Sequence, residues 1–321
     1  MKRLLNNHFT QIKQAYYAIG KNSEGKAISN YLAAIKYITL ETVEEFKENA
    51  TRSICEIIDR IVNGESIDVI IEEIASKEKI AAIKDMTRIH GFGPANCGIL
   101  YDRGFRSAEH IISKKDNLIL NPQQEIGIKY FHDFETKIPR HEIDAISKYV
   151  VSVILSVDPN HKCVVVGSYR RLKEQSGDID ILITNKKNML GQIVKKLDNF
   201  LVHNFTPDFN TSVHGTYWSN YLPPIENEKE SSRCLRKIDI TYTEPERWGT
   251  ALLHATGSST YNAKLRKLAI DQGYSLSQHA IKKKTFNRET KQIDVKEYKF
   301  NTEQAVYDFL RYPYVDPQRR E

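Results

Sequence analysis

Cysteine is scarce in this chain: four residues in 321, at Cys55, Cys97, Cys163 and Cys234, with no Cys-x-x-Cys pair. That scatter argues against a disulfide framework and a structural zinc site, and favours reduced thiols in an intracellular setting. No apolar stretch approaches the roughly 20 residues a bilayer-spanning helix needs. Met1-Lys2-Arg3 runs into Asn6, Asn7 and His8 rather than into an apolar signal core, so the expectation is an unsecreted, soluble chain with no membrane partner. Low-complexity tracts are absent, and the one hint of a repeat is a second helix–turn–helix pattern near Lys47 to Gly64. What remains is ordinary for folded domains: 40% hydrophobic and 27% charged residues, in a chain long enough for two or three cores. The formal charge of +6 mildly favours a polyanionic partner.

Apolar residues recur at spacings of three and four through Tyr31-Leu32, Ile35 and Ile38, then Ile54, Ile57-Ile58 and Ile61, which predicts helices across the first eighty residues. Asn63-Gly64 is a favourable helix end. A further helix is predicted from about Pro139 to Leu155. After it the apolar period changes to two or to short runs, at Cys163 to Val166, Ile179 to Thr184 and Lys237 to Tyr242, which marks a sheet. Gln192 to Leu201 reads as a helix on that sheet, and Tyr221 to Ser232 as a loop. From Glu246 the pattern is helical, then briefly mixed, then a polar tail from Asp316. Lys282-Lys283-Lys284 reads as a basic loop touching a polyanion, or as a nuclear address. The fold class expected is α+β, partitioned at 1–80, 81–142, 143–245 and 246–321.

The sheet region carries the chemistry. Gly167-Ser168 follows the apolar run Cys163-Val164-Val165-Val166, and Asp178-Ile179-Asp180 comes ten residues later; a third acid, Asp239, lies in Lys237-Ile238-Asp239-Ile240. Side chains alternate along a strand, so Asp178 and Asp180 share one side while Ile179 and Ile181 face a core. Carboxylates this close repel unless cations lie between them. Mg²⁺ takes carboxylates together with phosphate oxygens, and two ions roughly 3.5–4 Å apart can clamp both oxygens of an in-line phosphoryl transfer. Two Mg²⁺ ions are therefore the expected cofactors, with Mn²⁺ able to replace them. Gly167-Ser168 would let backbone approach a triphosphate closely. A lone Asp-x-Asp is usually a solvated strand end; the combination with Gly-Ser, Tyr169-Arg170-Arg171, Ser176-Gly177 and Asp239 is what makes it a site.

Upstream, Gly91-Phe92-Gly93-Pro94 separates two helical patterns and resembles a helix-hairpin-helix. Its glycines would let backbone N–H groups at a helix start grip a phosphate without reading bases. Gly91, Gly93 and Ala95 are the expected DNA-backbone contacts.

On these motifs, together with Lys129 to Glu135, Ile138-Pro139-Arg140 and Lys237 to Arg266, nearly the whole chain resembles the family X DNA polymerases, those of the beta type in particular. The resemblance implies a helical lyase-like domain, a helix-hairpin-helix subdomain, a nucleotidyltransferase palm with a mixed sheet, and a small α/β C-terminal subdomain. It implies that Asp178 and Asp180 ligate both metals and that Asp239 ligates the catalytic one. Gly167, Ser168, Arg171, Ser176 and Gly177 would hold the triphosphate, Arg171 by a bidentate fork. Gly257, in Thr256-Gly257-Ser258, would turn beneath the nucleotide sugar, and Asn262 would reach the incoming base. Arg236 would lie near the primer terminus or Asp239, and Arg266 near the template strand. Arg170 has a plainer alternative: facing the other way and pairing with an acid. The implied partners are gapped or nicked double-stranded DNA and deoxynucleoside triphosphates, and the expected state is monomeric.

Two departures stand out. The sugar-contacting pair, Tyr-Phe in gap-filling members, is His254-Ala255 here, which weakens the expected barrier to ribonucleotides. The lysine that forms a Schiff base in the family's lyase domain falls at Glu56, and a carboxylate cannot form an imine. Glu41, Glu44, Glu45 and Glu48 crowd the same region, with Arg52 the main remaining cation and Lys26, Lys36 and Lys47 as substitutes. The expectation is a DNA-directed DNA polymerase that fills short gaps in base excision repair with lyase activity weak or absent. The alternatives are a template-independent, RNA-directed or end-joining nucleotidyltransferase, and a non-catalytic DNA-binding scaffold. Against end joining, no additional N-terminal partner-binding module is read in the chain.

Overall fold

A computed structural model describes residues 2–35, 41–48, 50–206, 210–221, 233–287 and 292–321, which fall into two units, Met1–Phe131 and His132–Glu321. Among the described residues no helix is long and apolar enough to cross a membrane.

The first unit is helical, as its periodicity predicts: α1 (Lys2–Ala18), α2 (Asn22–Ile35), α3 (Val43–Glu48), α4 (Arg52–Val62), α5 (Ile67–Ile74), α6 (Lys77–Met86), α7 (Pro94–Asp102), α8 (Ala108–Ser113) and α9 (Pro122–Lys129). Ile54, Ile57, Ile58 and Ile61 line the buried stripe of α4 and pack with Leu5, Phe9, Ile12, Ile28 and Phe46. Gly64, at φ +85°, ends α4, with the Glu65 N–H donating 3.0 Å to Arg60 O. The start signals are local: Ser76 caps α6, Pro94 is the first residue of α7, and Asn121 with Gln124 forms a capping box on α9. Gly91 takes φ +85°, and a Cβ there would meet Gln124 N at 3.0 Å, so the reversal after α6 requires glycine.

The second unit is built on a five-stranded mixed sheet. In chain order come α10 (Phe131–Glu135), β1 (Ile138–Pro139), α11 (Arg140–Val157), β2 (Lys162–Val165), α12 (Gly167–Arg170), β3 (Gln175–Ser176), β4 (Ile179–Thr184), α13 (Leu190–Lys196), β5 (His203–Asn204), β6 (Ser212–Trp218) and β7 (Leu235–Thr243). The sheet order is β2-β4-β7-β6-β5, with β4 and β7 parallel and the other neighbours antiparallel, while β1 pairs separately with β3. Ile179, Ile181, Ile183, Ile238 and Ile240 face a core completed by α11 and α13. Leu182, on the opposite side of β4, joins Val166 and the residues Trp248, Ala251 and Leu252 of α14 (Trp248–Thr256). Burial on both sides is why β4 reads as a nearly unbroken apolar run.

Beyond α14 lie α15 (Ser259–Asp271), a three-stranded antiparallel sheet of β8 (Tyr274–Leu276), β9 (Ile281–Asn287) and β10 (Gln292–Tyr298), and α16 (Glu303–Phe309). The α+β reading stands. Two elements differ from the sequence reading. Ser212–Trp218 is a strand, whose buried alternation Val213, Gly215, Tyr217 is disguised by glycine and polar residues. Lys282-Lys283-Lys284 lies within β9, not in a loop, because the chain pairs on both edges there and Lys282 ion-pairs with Glu297. The predicted loop after Tyr221, to Ser232, falls outside the described residues, as do Lys36 and Ile38.

The second unit is stapled by a buried charge cluster. Glu303, at the start of α16, accepts hydrogen bonds from Arg170 (2.9 and 3.2 Å) and from Arg320, which is fully buried. Burial alone would raise the Glu303 carboxyl, but the two guanidiniums hold it below its ordinary range. Removing one partner of such a cluster leaves an uncompensated buried charge. Glu303→Ala is therefore expected to destabilise the protein by about 3–5 kcal/mol, read from the midpoint of urea unfolding.

Candidate active site

Parallel pairing of β4 with β7 sets Asp180 directly beside Asp239, next to the matched pair Ile179 and Ile238. Asp178 stands just before β4, so the strand alternation brings it to the same side. Carboxylate oxygens of Asp178, Asp180 and Asp239 all lie within 4.8 Å of one another, each side chain partly buried. Burial, then the charges of Asp178 and Asp239, pushes the Asp180 carboxyl up to about 7. Asp178 is also raised, by burial and by Asp239, against the pull of Lys237 and Lys137. Three hard oxygen donors that repel each other in a half-buried pocket fit a divalent cation.

Gly167, opening α12, has φ +59°, and a Cβ there would stand 2.2 Å from Asp180 Oδ2. Its glycine is thus demanded by the acid as well as by the turn. Ser168 donates to Ser176 Oγ at 2.7 Å, joining the start of α12 to β3 and leaving Gly177 beside Asp178. Arg171 donates to the backbone oxygen of Thr256, and its guanidinium lies 3.0 Å from where a Gly257 Cβ would be. The residues expected at the triphosphate, Gly167, Ser168, Arg171, Ser176 and Gly177, therefore sit in one set of turns, which Arg171 links to Gly257, the turn expected beneath the sugar. Arg170 pairs with Glu303, its plainer alternative, and also donates to Thr256 Oγ1.

Beside the acids is a cleft of about 340 Å³, lined among others by Asp180, His214, His254, Ala255 and His279. Asn262 donates to His254 O at 2.8 Å, and Arg266 Nη2 lies 3.2 Å from His254 Nδ1, so both converge on the His254-Ala255 pair. Burial, then Arg266 and His279, lowers the His254 pKa. Two site residues were not foreseen. Lys237 shares the acidic side and its charge opposes the repulsion. His214 hydrogen-bonds Asp239 and has its pKa raised by that bond; no local sequence signal points to it, because its strand lacks a clean apolar period.

One expectation is corrected. Arg236 does not lie at Asp239 or on a DNA-facing surface: it is 8% exposed, donates to Thr136 O at 3.0 Å and ion-pairs with Glu142 at 3.3 Å. The cause is strand alternation, which turns residue 236 to the side opposite residues 237 and 239. In the first unit, Gly93 and Ala95 are exposed at the start of α7 and Gly91 is half-buried. Glu56 is exposed on α4 and pairs with Arg52 at 3.2 Å, while Lys47 pairs with Asp59. Glu45 is occupied in capping α3, accepting from the N–H groups of Glu41 and Thr42.

Comparison with known proteins agrees with this geometry. Models of the DNA polymerase beta palm and thumb match residues 137–245 and 251–321, and the fingers domain of DNA polymerase lambda matches 84–135. DNA polymerase lambda of Arabidopsis thaliana is 28% identical across 100% of the chain and 62% of its own length. The rat protein of that name is 30% identical over 76% of the chain and 43% of its own length. DNA nucleotidylexotransferase of Xenopus laevis is 25% identical over 82% of the chain and 56% of its own length. The chain thus spans about two fifths to three fifths of the length of these relatives.

The raised Asp180 carboxyl gives a signed pH effect. In cation-free protein the folded state keeps a proton that the unfolded chain, with a carboxyl pKa of about 4, gives up. The stabilisation is complete below that value and is lost as pH rises through about 7. The unfolding free energy of the wild type relative to Asp180→Asn should therefore fall across this window in EDTA, and excess Mg²⁺ should remove the fall. A pH-independent difference would contradict the assignment.

Proposed function

Because the chain belongs to the family X DNA polymerases, we propose that it is a DNA-directed DNA polymerase filling short gaps in repair. The observation that carries this reading is the meeting of Asp178, Asp180 and Asp239 beside a cleft edged by His254 and Ala255. In this reading Ser168, Arg171, Ser176 and Gly177 hold the triphosphate of the incoming nucleotide, and Asp239 faces the primer 3′-hydroxyl. That oxygen attacks the α-phosphorus and pyrophosphate leaves. Two Mg²⁺ ions, or Mn²⁺ in their place, would supply charge stabilisation at the attacking and leaving oxygens. Asn262 and Arg266 serve the incoming base and the template strand, released from His254 as DNA engages them. Gly91, Gly93 and Ala95 grip the DNA backbone through amides at the start of α7. The domains follow the partition 1–80, 81–142, 143–245 and 246–321, in a monomer acting on gapped or nicked DNA.

Two features narrow the activity. Ala255 offers no bulk against a 2′-hydroxyl, so sugar selectivity is relaxed. Glu56, paired with Arg52, offers no amine for a Schiff base, so the 5′-deoxyribose-phosphate lyase is absent or weak. The similarity to a nucleotidylexotransferase, with His254-Ala255 in place of Tyr-Phe, favours template-independent addition as the second reading.

Primer extension on DNA with a one-nucleotide gap and a 5′-phosphate separates these. Templated insertion is expected, lost in Asp239→Ala, with CTP used opposite guanine more readily than a Tyr-Phe enzyme would use it. Equal extension of a bare single strand would favour the second reading, and an inactive wild type would favour a DNA-binding scaffold. Borohydride treatment with an incised abasic substrate should trap no adduct.

A further inference from the structure

Asp239 differs from the other two acids in having a side-chain partner. His214 Nδ1 lies 2.9 Å from Asp239 Oδ1, whereas no side-chain hydrogen bond reaches Asp178 or Asp180 among the described residues. The contact is set by sheet register: His214 stands directly opposite Asp239 in the antiparallel β6–β7 pairing, so both side chains leave the same side. Its other nitrogen, Nε2, lies 2.8 Å from Ser212 Oγ. A carboxylate only accepts hydrogen bonds, so Nδ1 carries a proton and donates to Asp239, and Nε2 bonds the Ser212 hydroxyl. The backbone of His214 is held as well, its N–H donating to Thr206 Oγ1 at 2.8 Å and its oxygen accepting from Phe205 at 2.9 Å. The ring is therefore held at both nitrogens and at its backbone, and has a fixed direction.

We propose that His214 is a positioning residue for nucleotidyl transfer, holding the Asp239 carboxylate in the orientation in which it joins Asp178 and Asp180 as a cation ligand. Without that bond, Asp239, whose side chain is 32% exposed, would be free to swing away from two like charges toward solvent. Outer partners of this kind commonly change cation affinity or activity by about 10–100-fold when removed. A merely structural role, pinning β6 to β7, is already filled by the backbone ladder between Ser212 and Trp218 and its partners. His214 is half-exposed and outside the hydrophobic cores, so its replacement spares the fold.

The catalytic half of this inference rests on the polymerase reading; the cation-binding half does not. The test measures Mn²⁺ binding to the full chain, from the electron paramagnetic resonance signal of free Mn²⁺, alongside gap-filling kinetics. His214→Ala should weaken Mn²⁺ binding and lower kcat by about 10–100-fold, with the KM for deoxynucleotide unchanged. His214→Asn, whose amide nitrogen occupies the place of Nδ1, should restore both to within a few-fold of the wild type. Wild-type Mn²⁺ binding in His214→Ala, or an Asn variant no better than Ala, would overturn the proposal. Failure of the wild type to extend a primer would instead sink the polymerase reading, and the Mn²⁺ series would still decide what His214 does.

Discussion

Mutual repulsion among Asp178, Asp180 and Asp239 is the constraint around which the second unit is organised. Left in water, these carboxylates would separate; here a parallel β4–β7 ladder sets Asp180 beside Asp239 and strand alternation adds Asp178. The cost is visible in the Asp180 carboxyl, pushed up to about 7 by burial and its neighbours. A strained arrangement of like charges persists only where surrounding structure over-determines it. That surrounding structure is the isoleucine face of β4 and β7 against α11 and α13, and Leu182 against α14. Such a site favours a divalent cation, because Lys237 offsets the repulsion only in part.

The same constraint explains residues that otherwise look unrelated. Gly167 is glycine because Asp180 occupies the space a Cβ would need. Arg171 donates to Thr256 O, and Arg170 donates to Thr256 Oγ1 as well as pairing with Glu303, so the α12 turn is tied by two adjacent arginines to the segment that carries His254 and Ala255. The acids, the turns around Gly167 and Ser176, and the residues around His254 are thereby mounted on one connected framework within the second unit.

Much of this was legible in the sequence because it is written in local patterns. The acids announce themselves by alternation within apolar strands, the α4 end by Asn63-Gly64, and the reversal before α7 by Gly91 and Pro94. Arg170 could be read as an acid's partner because neighbouring residues must face different ways. Where reading failed, the deciding information was not local. Arg236 is one residue from the acidic side, and an alternation argument applied from Asp239 would have turned it inward, but its partners Thr136 and Glu142 lie about a hundred residues away. His214 was invisible because Gly215 and Thr216 hide the period of β6, and its meaning depends on register with β7. The Lys282 to Lys284 run looked like a loop because its charge outweighs the strand pattern, while its pairing with β8 and β10 is a tertiary fact.

In the proposed function, the departures at His254-Ala255 and Glu56 would govern which nucleotides and DNA ends are handled, and the acids whether transfer occurs at all. The most direct measurement is therefore the location of cations at the acids. Crystals grown with gapped DNA, a non-hydrolysable deoxynucleotide and Mn²⁺ would show them by anomalous scattering. Two peaks roughly 3.5–4 Å apart are expected, both touched by Asp178 and Asp180 and one by Asp239. An acidic cluster with no peak, or with its cation shared by no nucleotide phosphate, would contradict that expectation.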